Sequence, residues 1–144
     1  MPRKRRDTKR AELLARTAQI SSCRFTQRIR AVHNRGEEPY VECGPWLELL
    51  GKLEEPVKGV TDVRISLYPL EPVVVGPVRP AAIGAVISLK LEMSVVISWS
   101  EREFDRLWSM ALAGHSNFAY LAFTPPRYGR ARIVSASFGS EREE

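Results

Sequence analysis

Cysteine is scarce in this chain of 144 residues, which contains only Cys23 and Cys43. A small domain held together by disulfides would carry more of them. If residues 34–37 close a hairpin, antiparallel pairing places Cys23 opposite about residue 48, so the two thiols would not face each other. We therefore interpret both cysteines as reduced thiols.

Long apolar runs are also absent. No run approaches the length of about 18 residues that a membrane-spanning helix needs. The opening residues, MPRKRRDTKR, are charged, and no apolar signal-peptide core or small-residue cleavage site follows them. These absences predict a cytoplasmic protein with no membrane contact. The hydrophobic fraction of 44% predicts a folded chain rather than a disordered one.

Recognisable catalytic and metal-binding patterns are missing as well. The spacing of the candidate metal ligands matches no zinc pattern; they are Cys23, His33, Cys43 and His115. No G-x-S-x-G, phosphate loop or dinucleotide fingerprint occurs. We therefore predict no catalytic residue, no metal and no cofactor. A non-enzymatic binding domain is favoured, with an enzyme as the weaker alternative.

Positive charge is present, and it is concentrated at one end of the chain. Residues 1–35 contain eleven Lys or Arg and two acidic residues, a balance of +9, whereas the rest contain eleven basic and fifteen acidic residues, a balance of −4. Residues 1–20 are predicted to be a basic arm, and helical spacing of Leu13, Leu14 and Ala18 predicts that part of it is a short helix. A single domain is predicted over residues 21–140, with a frayed tail at 141–144.

Alternating apolar and polar residues indicate β-strands. In residues 22–33 one face contains Cys23, Phe25, Ile29 and Ala31, and the other contains Arg24, Thr26, Arg28 and Arg30. Asn34-Arg35-Gly36 predicts a turn, and a partner strand is expected near residues 40–41, interrupted at Gly44-Pro45. Further strands are predicted at 62–68, 118–123 and 132–138.

Residues 46–53 fit two structures. In a helix, one face would contain Trp46, Leu49, Leu50 and Leu53. In a strand, one face would contain Leu47, Leu49, Gly51 and Leu53. The strand is favoured slightly, because Glu54-Glu55-Pro56 and Gly59 would then close a hairpin to the next strand.

The longest alternating segment is 83–99, in which every odd position is apolar. A straight strand of that length would span roughly 55 Å at about 3.3 Å per residue, which exceeds a small domain. We therefore expect it to bend, bulge or split near residues 90–92.

A helix is predicted over residues 101–113. Ser100 and Glu103 form a capping box, and Gly114 ends the helix. Its apolar stripe consists of Phe104, Leu107, Trp108, Ala111 and Leu112. Together the elements predict an α+β fold, with a mostly antiparallel sheet of about five or six strands, curled or barrel-like, and one amphipathic helix.

The charge pattern predicts contact with nucleic acid or another polyanion. The phosphate-binding residues would come from the arm, the first strand and the loop between the last two strands. They are Arg3, Lys4, Arg5, Arg6, Lys9, Arg10, Arg24, Arg28, Arg30, Arg127, Tyr128, Arg130 and Arg132. Tyr128 adds an aromatic ring for base stacking. Binding without sequence preference is expected.

The alternative is a small protein-interaction, regulatory or inhibitory module with no nucleic-acid role. Residues 69–80 contain four prolines and could dock on a protein partner, with Val73-Val74-Val75 pairing as an exposed edge. The sequence leaves the oligomeric state open.

Overall fold

A computed structural model describes residues 12–69 and 83–142, apart from the side chains of Glu42 and Cys43. The described elements are β1 (Leu14–Val32), β2 (Tyr40–Val57), β3 (Val60–Pro69), β4 (Gly84–Leu89), β5 (Met93–Trp99), α1 (Glu101–Leu112), β6 (Phe118–Phe123) and β7 (Ala131–Gly139). The described part of the chain is thus mostly β with one helix, as predicted. The division into arm, domain and tail stays a prediction.

The strands form a closed barrel in the order β1-β2-β3-β5-β4-β7-β6, which β6 closes by pairing with β1. Seven strands replace the predicted five or six. All neighbours are antiparallel except β3 and β5, which run parallel, so the sheet is mixed. The antiparallel prediction was wrong at this point because β4 and β5 form a hairpin whose second strand, not its first, lies beside β3.

The short helix predicted within the arm, from the spacing of Leu13, Leu14 and Ala18, is also wrong over the part that the structure describes. Residues Leu14–Gln19 pair with β6, and Ala18 is fully buried. The pairing partner lies about a hundred residues further along the chain, so helical spacing in the sequence could not reveal it.

The predicted split of residues 83–99 is confirmed, with a turn at residues 90–92 between β4 and β5. The predicted apolar face holds for β5, whose Met93, Val95 and Ile97 are buried. It fails in β4, where a register shift between Val86 and Ser88 makes Ile87 an extra residue. Val86 consequently points into the core, and Ile87 is 50% exposed.

Residues 46–53 form part of β2, and the favoured strand is confirmed by the burial of Leu47, Leu49 and Leu53. The interruption predicted at Gly44-Pro45 is wrong, because β2 runs through both residues. Pro45 lies before the pairing with β3 begins at Leu47. At Pro45, β2 therefore has a neighbouring strand on one side only. Proline lacks a backbone N–H, and a strand edge without a partner tolerates that loss.

The helix is confirmed at Glu101–Leu112, one residue shorter than predicted, and the Ser100 hydroxyl accepts a 3.3 Å hydrogen bond from the Glu103 N–H. Phe104, Leu107 and Ala111 join the core that fills the barrel. Trp108 is only half-buried, and Leu112 is exposed. The stripe thus buries three of its five predicted members.

Candidate functional site

The predicted binding residues fall into three groups, of which the structure describes two. Six basic residues of the arm lie outside the described residues; they are Arg3, Lys4, Arg5, Arg6, Lys9 and Arg10. Residues 70–80 of the proline-rich connection also lie outside them. Arg24, Arg28 and Arg30 lie on β1. Arg127, Tyr128 and Arg130 lie in the loop between β6 and β7, and Arg132 lies at the start of β7.

The arginines of β1 occupy a two-stranded part of the sheet. Within the described residues, 26–32 of β1 and 40–46 of β2 pair only with each other, from Thr26 opposite Trp46 to Val32 opposite Tyr40. We call these two ranges the extension. Residue pairs alternate between the two sides of the sheet, so Arg24, Arg28 and Arg30 all lie on the outer side, opposite to the side of the buried Leu47 and Leu49.

A cavity of about 530 Å³ opens on this outer side. Its lining comes from five neighbouring strands, β1, β2, β3, β5 and β4, and includes Arg28, Arg30, Trp46, Tyr68, Ile87 and Val96. Two arginines, two half-buried aromatic rings and an apolar floor thus surround one space. Its volume is within the range of about 300–1,000 Å³ that is typical of ligand sites.

Arg28 and Trp46 are in direct contact in this cavity. The guanidinium carbon of Arg28 lies over the indole ring, 4.5 Å from the ring centroid. Arg28 and Trp46 lie diagonally across the β1–β2 pair, because Trp46 is opposite Thr26 and Arg28 is opposite Gly44. The guanidinium and the ring thus form a cation–π pair.

Two acidic side chains on the outer side of the sheet, those of Glu48 and Glu92, are paired with Arg64 of β3. Arg64 lies 3.0 Å from a carboxylate oxygen of each. All three side chains are partly buried, so these contacts are less screened than surface pairs. Glu48 and Glu92 are therefore engaged by Arg64.

The loop between β6 and β7 forms a second part of the same face. Arg127 and Arg130 are bridged by two backbone hydrogen bonds, and the turn between them has positive φ at Tyr128 and Gly129. The Tyr128 side chain is fully exposed. Tyr128 and Arg130 line a second cavity, of about 570 Å³, together with Ile87.

Ile87 therefore lines both cavities and connects the two groups of predicted residues. A row of paired positions crosses the outer face as well, and it consists of Arg24, Glu48, Ser66, Val96, Ala85 and Arg132. The predicted residues of β1 and of the last loop, about a hundred positions apart in sequence, thus belong to one face of the barrel.

Sequence reasoning missed the aromatic and apolar members of this face, which are Trp46, Tyr68, Ile87 and Val96. In the sequence, Trp46 enters only as part of the alternative helix face over residues 46–53. One signal was available: Tyr68 is an aromatic residue on the polar side of the alternating segment 62–68. Its ring adds apolar area to the solvent side of the sheet, and contiguous apolar patches mark interaction sites.

No metal-binding cluster accompanies this face in residues 12–69 and 83–142. Groups of three or more His, Cys, Asp or Glu side chains that could hold a metal are absent from the described part of the chain. Burial raises the pKa of the Cys23 thiol, which lowers its thiolate fraction near neutral pH. Cys23 pairs with Leu49 and Cys43 with Ile29, so the prediction that the cysteines do not face each other is confirmed.

Comparison with known proteins gives no match to a family model, a curated protein or a solved structure. Of the helical segments in the described ranges, none has the length and apolar character to cross a membrane.

Proposed function

We propose that this protein is a non-enzymatic binding domain that contacts nucleic acid through the outer face of its barrel. The observation that carries the proposal is the cavity in which Arg28 and Arg30 flank Trp46 and Tyr68. Arginine is suited to phosphate oxygens, and aromatic rings are suited to bases. Few other ligands require both kinds of group in one open cavity.

The second cavity extends this surface toward Tyr128 and Arg130. Because Ile87 lines both cavities, a chain of phosphates could cross from one arginine group to the other without leaving the protein surface. We place Arg24 and Arg132 at its margins, on the row of paired positions described above. This arrangement supports binding along a backbone more than binding of a single small anion.

The basic arm is expected to contribute most of the affinity. Its residues 2–10 carry six of the eleven positive charges of residues 1–35. Affinity that comes from Lys and Arg on phosphates depends on counterion release, so it falls steeply as salt rises. Deleting residues 2–10 should therefore reduce the salt dependence of binding while leaving the barrel folded.

Fluorescence anisotropy with labelled single strands and duplexes, measured over a range of salt concentrations, tests the proposal. Arg28→Gln/Arg30→Gln removes two positive charges from the cavity. If both side chains contact phosphates, the slope of log affinity against log salt should fall by about 1.4 for a single strand, at about 0.7 per phosphate contact.

A matched control removes the same charge elsewhere. Arg102 and Arg106 are exposed on α1, and neither lines the two cavities of the outer face. Arg102→Gln/Arg106→Gln should leave the slope close to that of the unmodified protein. Equal effects of the two double variants would show that only net charge matters, and the outer-face site would then be wrong.

The protein-interaction module remains the alternative. Its proposed contact, residues 69–80, lies almost wholly outside the described residues, so geometry adds nothing to it. Absence of binding to any nucleic acid at low salt would make it the preferred function.

A further inference from the structure

The contact between Arg28 and Trp46 gives the outer face a feature that charge alone does not explain. A guanidinium that only neutralised a phosphate would need no aromatic neighbour. Here it lies over an indole ring at 4.5 Å, while the Arg28 side chain stays exposed to solvent. The guanidinium carbon thus lies over the face of the Trp46 ring, and the side of the group away from the ring is not covered by Trp46.

We propose that the outer-face cavity binds unpaired bases of single-stranded nucleic acid, one of which stacks on the exposed face of Arg28. The guanidinium would then form the middle layer between Trp46 and the base. Guanidinium planes and aromatic rings are the groups on which proteins stack unpaired bases. This inference rests on the proposed function and names the class of nucleic acid that the site takes.

The position of the aromatic rings favours a single strand over a duplex. Trp46 and Tyr68 are half-buried and line a recessed space, with Val96 among the other lining residues. A duplex presents phosphates and base edges, and its base faces are covered by neighbouring bases. A recessed ring can reach a base face only after that base has left the stack.

Tyr128 supplies a second stacking position. Its ring is fully exposed at the tip of the β6–β7 loop, and the turn that carries it is fixed by the paired backbone bonds of Arg127 and Arg130. Since Ile87 connects its cavity to that of Trp46, successive bases of one strand could use both positions. Stacking of this kind tolerates any base, which agrees with binding that lacks sequence preference.

Arg28→Lys is the decisive variant, because lysine keeps the positive charge and loses the planar face. Affinity should be measured by anisotropy with a DNA strand and an RNA strand of about 16 nucleotides, an upper site size for a single small barrel. The DNA duplex of the same sequence serves as the comparison. We expect Arg28→Lys to weaken binding of a single strand about fivefold or more and to leave duplex affinity within about twofold.

Arg102→Lys is the matched control. Arg102 is exposed on α1 and lines neither of the two cavities of the outer face. The same substitution there should alter neither the affinity for a single strand nor the affinity for the duplex. Both side chains are exposed, so both variants should fold, and equal melting temperatures would verify this.

Tyr68→Leu and Tyr120→Leu provide a second pair. Both tyrosines are half-buried strand residues, but Tyr120 lines a separate small cavity that includes Thr17 and Ser137. Only Tyr68→Leu should weaken single-strand binding. Tyr128→Ala, at a fully exposed position, should also weaken it without affecting folding.

The possible results separate the inference from the function on which it rests. If strands and duplex bind equally well, and Arg28→Lys affects neither while Arg28→Gln/Arg30→Gln weakens both, base stacking is overturned and the proposed function stands. If no nucleic acid binds at low salt, both are wrong. Selective loss of single-strand binding in Arg28→Lys, with Arg102→Lys unchanged, would support the inference.

Discussion

The extension continues two strands of the barrel, β1 and β2, yet the two parts of these strands differ in what their apolar side faces. In the barrel, Leu47 and Leu49 of β2 are almost completely buried. In the extension, Ile29 of β1 and Val41 of β2 lie on the same side of the sheet, and they are 81% and 66% exposed. A regular alternation therefore fixes the two faces of a strand without determining whether either face is covered.

The boundary between the two regions lies at Phe25 and Trp108. Phe25 of β1 pairs with Leu47, the first residue of β2 that also pairs with β3. Its ring meets that of Trp108 on α1 edge-on, with the centroids 4.9 Å apart. The helix thus covers the sheet as far as Phe25, and beyond this point Ile29 and Val41 are exposed to solvent.

The largest expected effect on the free energy of unfolding is a difference between the barrel and the extension when isoleucine is replaced by alanine in each. Ile65 is fully buried in the barrel, so Ile65→Ala should lower the free energy of unfolding by about 2–5 kcal/mol, through lost burial and the cavity left behind. Ile29→Ala in the extension should change it by no more than about 0.5 kcal/mol. Urea denaturation measures both. A large loss for Ile29→Ala would mean that the extension is covered in solution.

A smaller effect is expected at the boundary. Trp108→Ala should cost less than the roughly 3–5 kcal/mol of a fully buried tryptophan, because the side chain is only half-buried. In a double-mutant cycle with Phe25→Ala, the coupling energy should be about 0.5–1.5 kcal/mol, as for other aromatic pairs. Additive losses would show that the helix does not hold the strand at this point.

The smallest expected effect tests the cap of the helix that carries Trp108. Ser100→Ala removes the oxygen that accepts the Glu103 N–H hydrogen bond, which should cost about 1 kcal/mol. Thermal melting would detect this as a lowered midpoint. Ser109→Ala, at an exposed position inside the same helix, serves as the control and should not lower the midpoint. Equal melting midpoints for Ser100→Ala and the unmodified protein would show that Ser100 does not cap the helix.

Half of the candidate site could be predicted from the sequence. Arg28, Arg30, Tyr128 and Arg130 were selected because basic residues cluster locally, and composition reveals local clustering directly. Trp46 and Ile87 could not be found in this way. Trp46 reaches the site because β2 continues through Pro45, and Ile87 reaches it because a bulge turns its side chain outward.

Local features of the chain were determined by the sequence itself. The helix with its Ser100 cap, the turn after residue 33, the division of 83–99 and the two faces of β1 all follow from interactions between residues a few positions apart. Periodicity and capping report such interactions reliably, because each element satisfies most of its own geometric requirements.

Only the tertiary structure decided how these elements combine. It placed β5 rather than β4 beside β3, made a strand of Leu14–Gln19 and brought the arginines of β1 to the same face as Tyr128. Each of these outcomes depends on backbone hydrogen bonds or packing between segments far apart in the chain. Such pairings are set by closure of the whole barrel, which no short window of sequence contains.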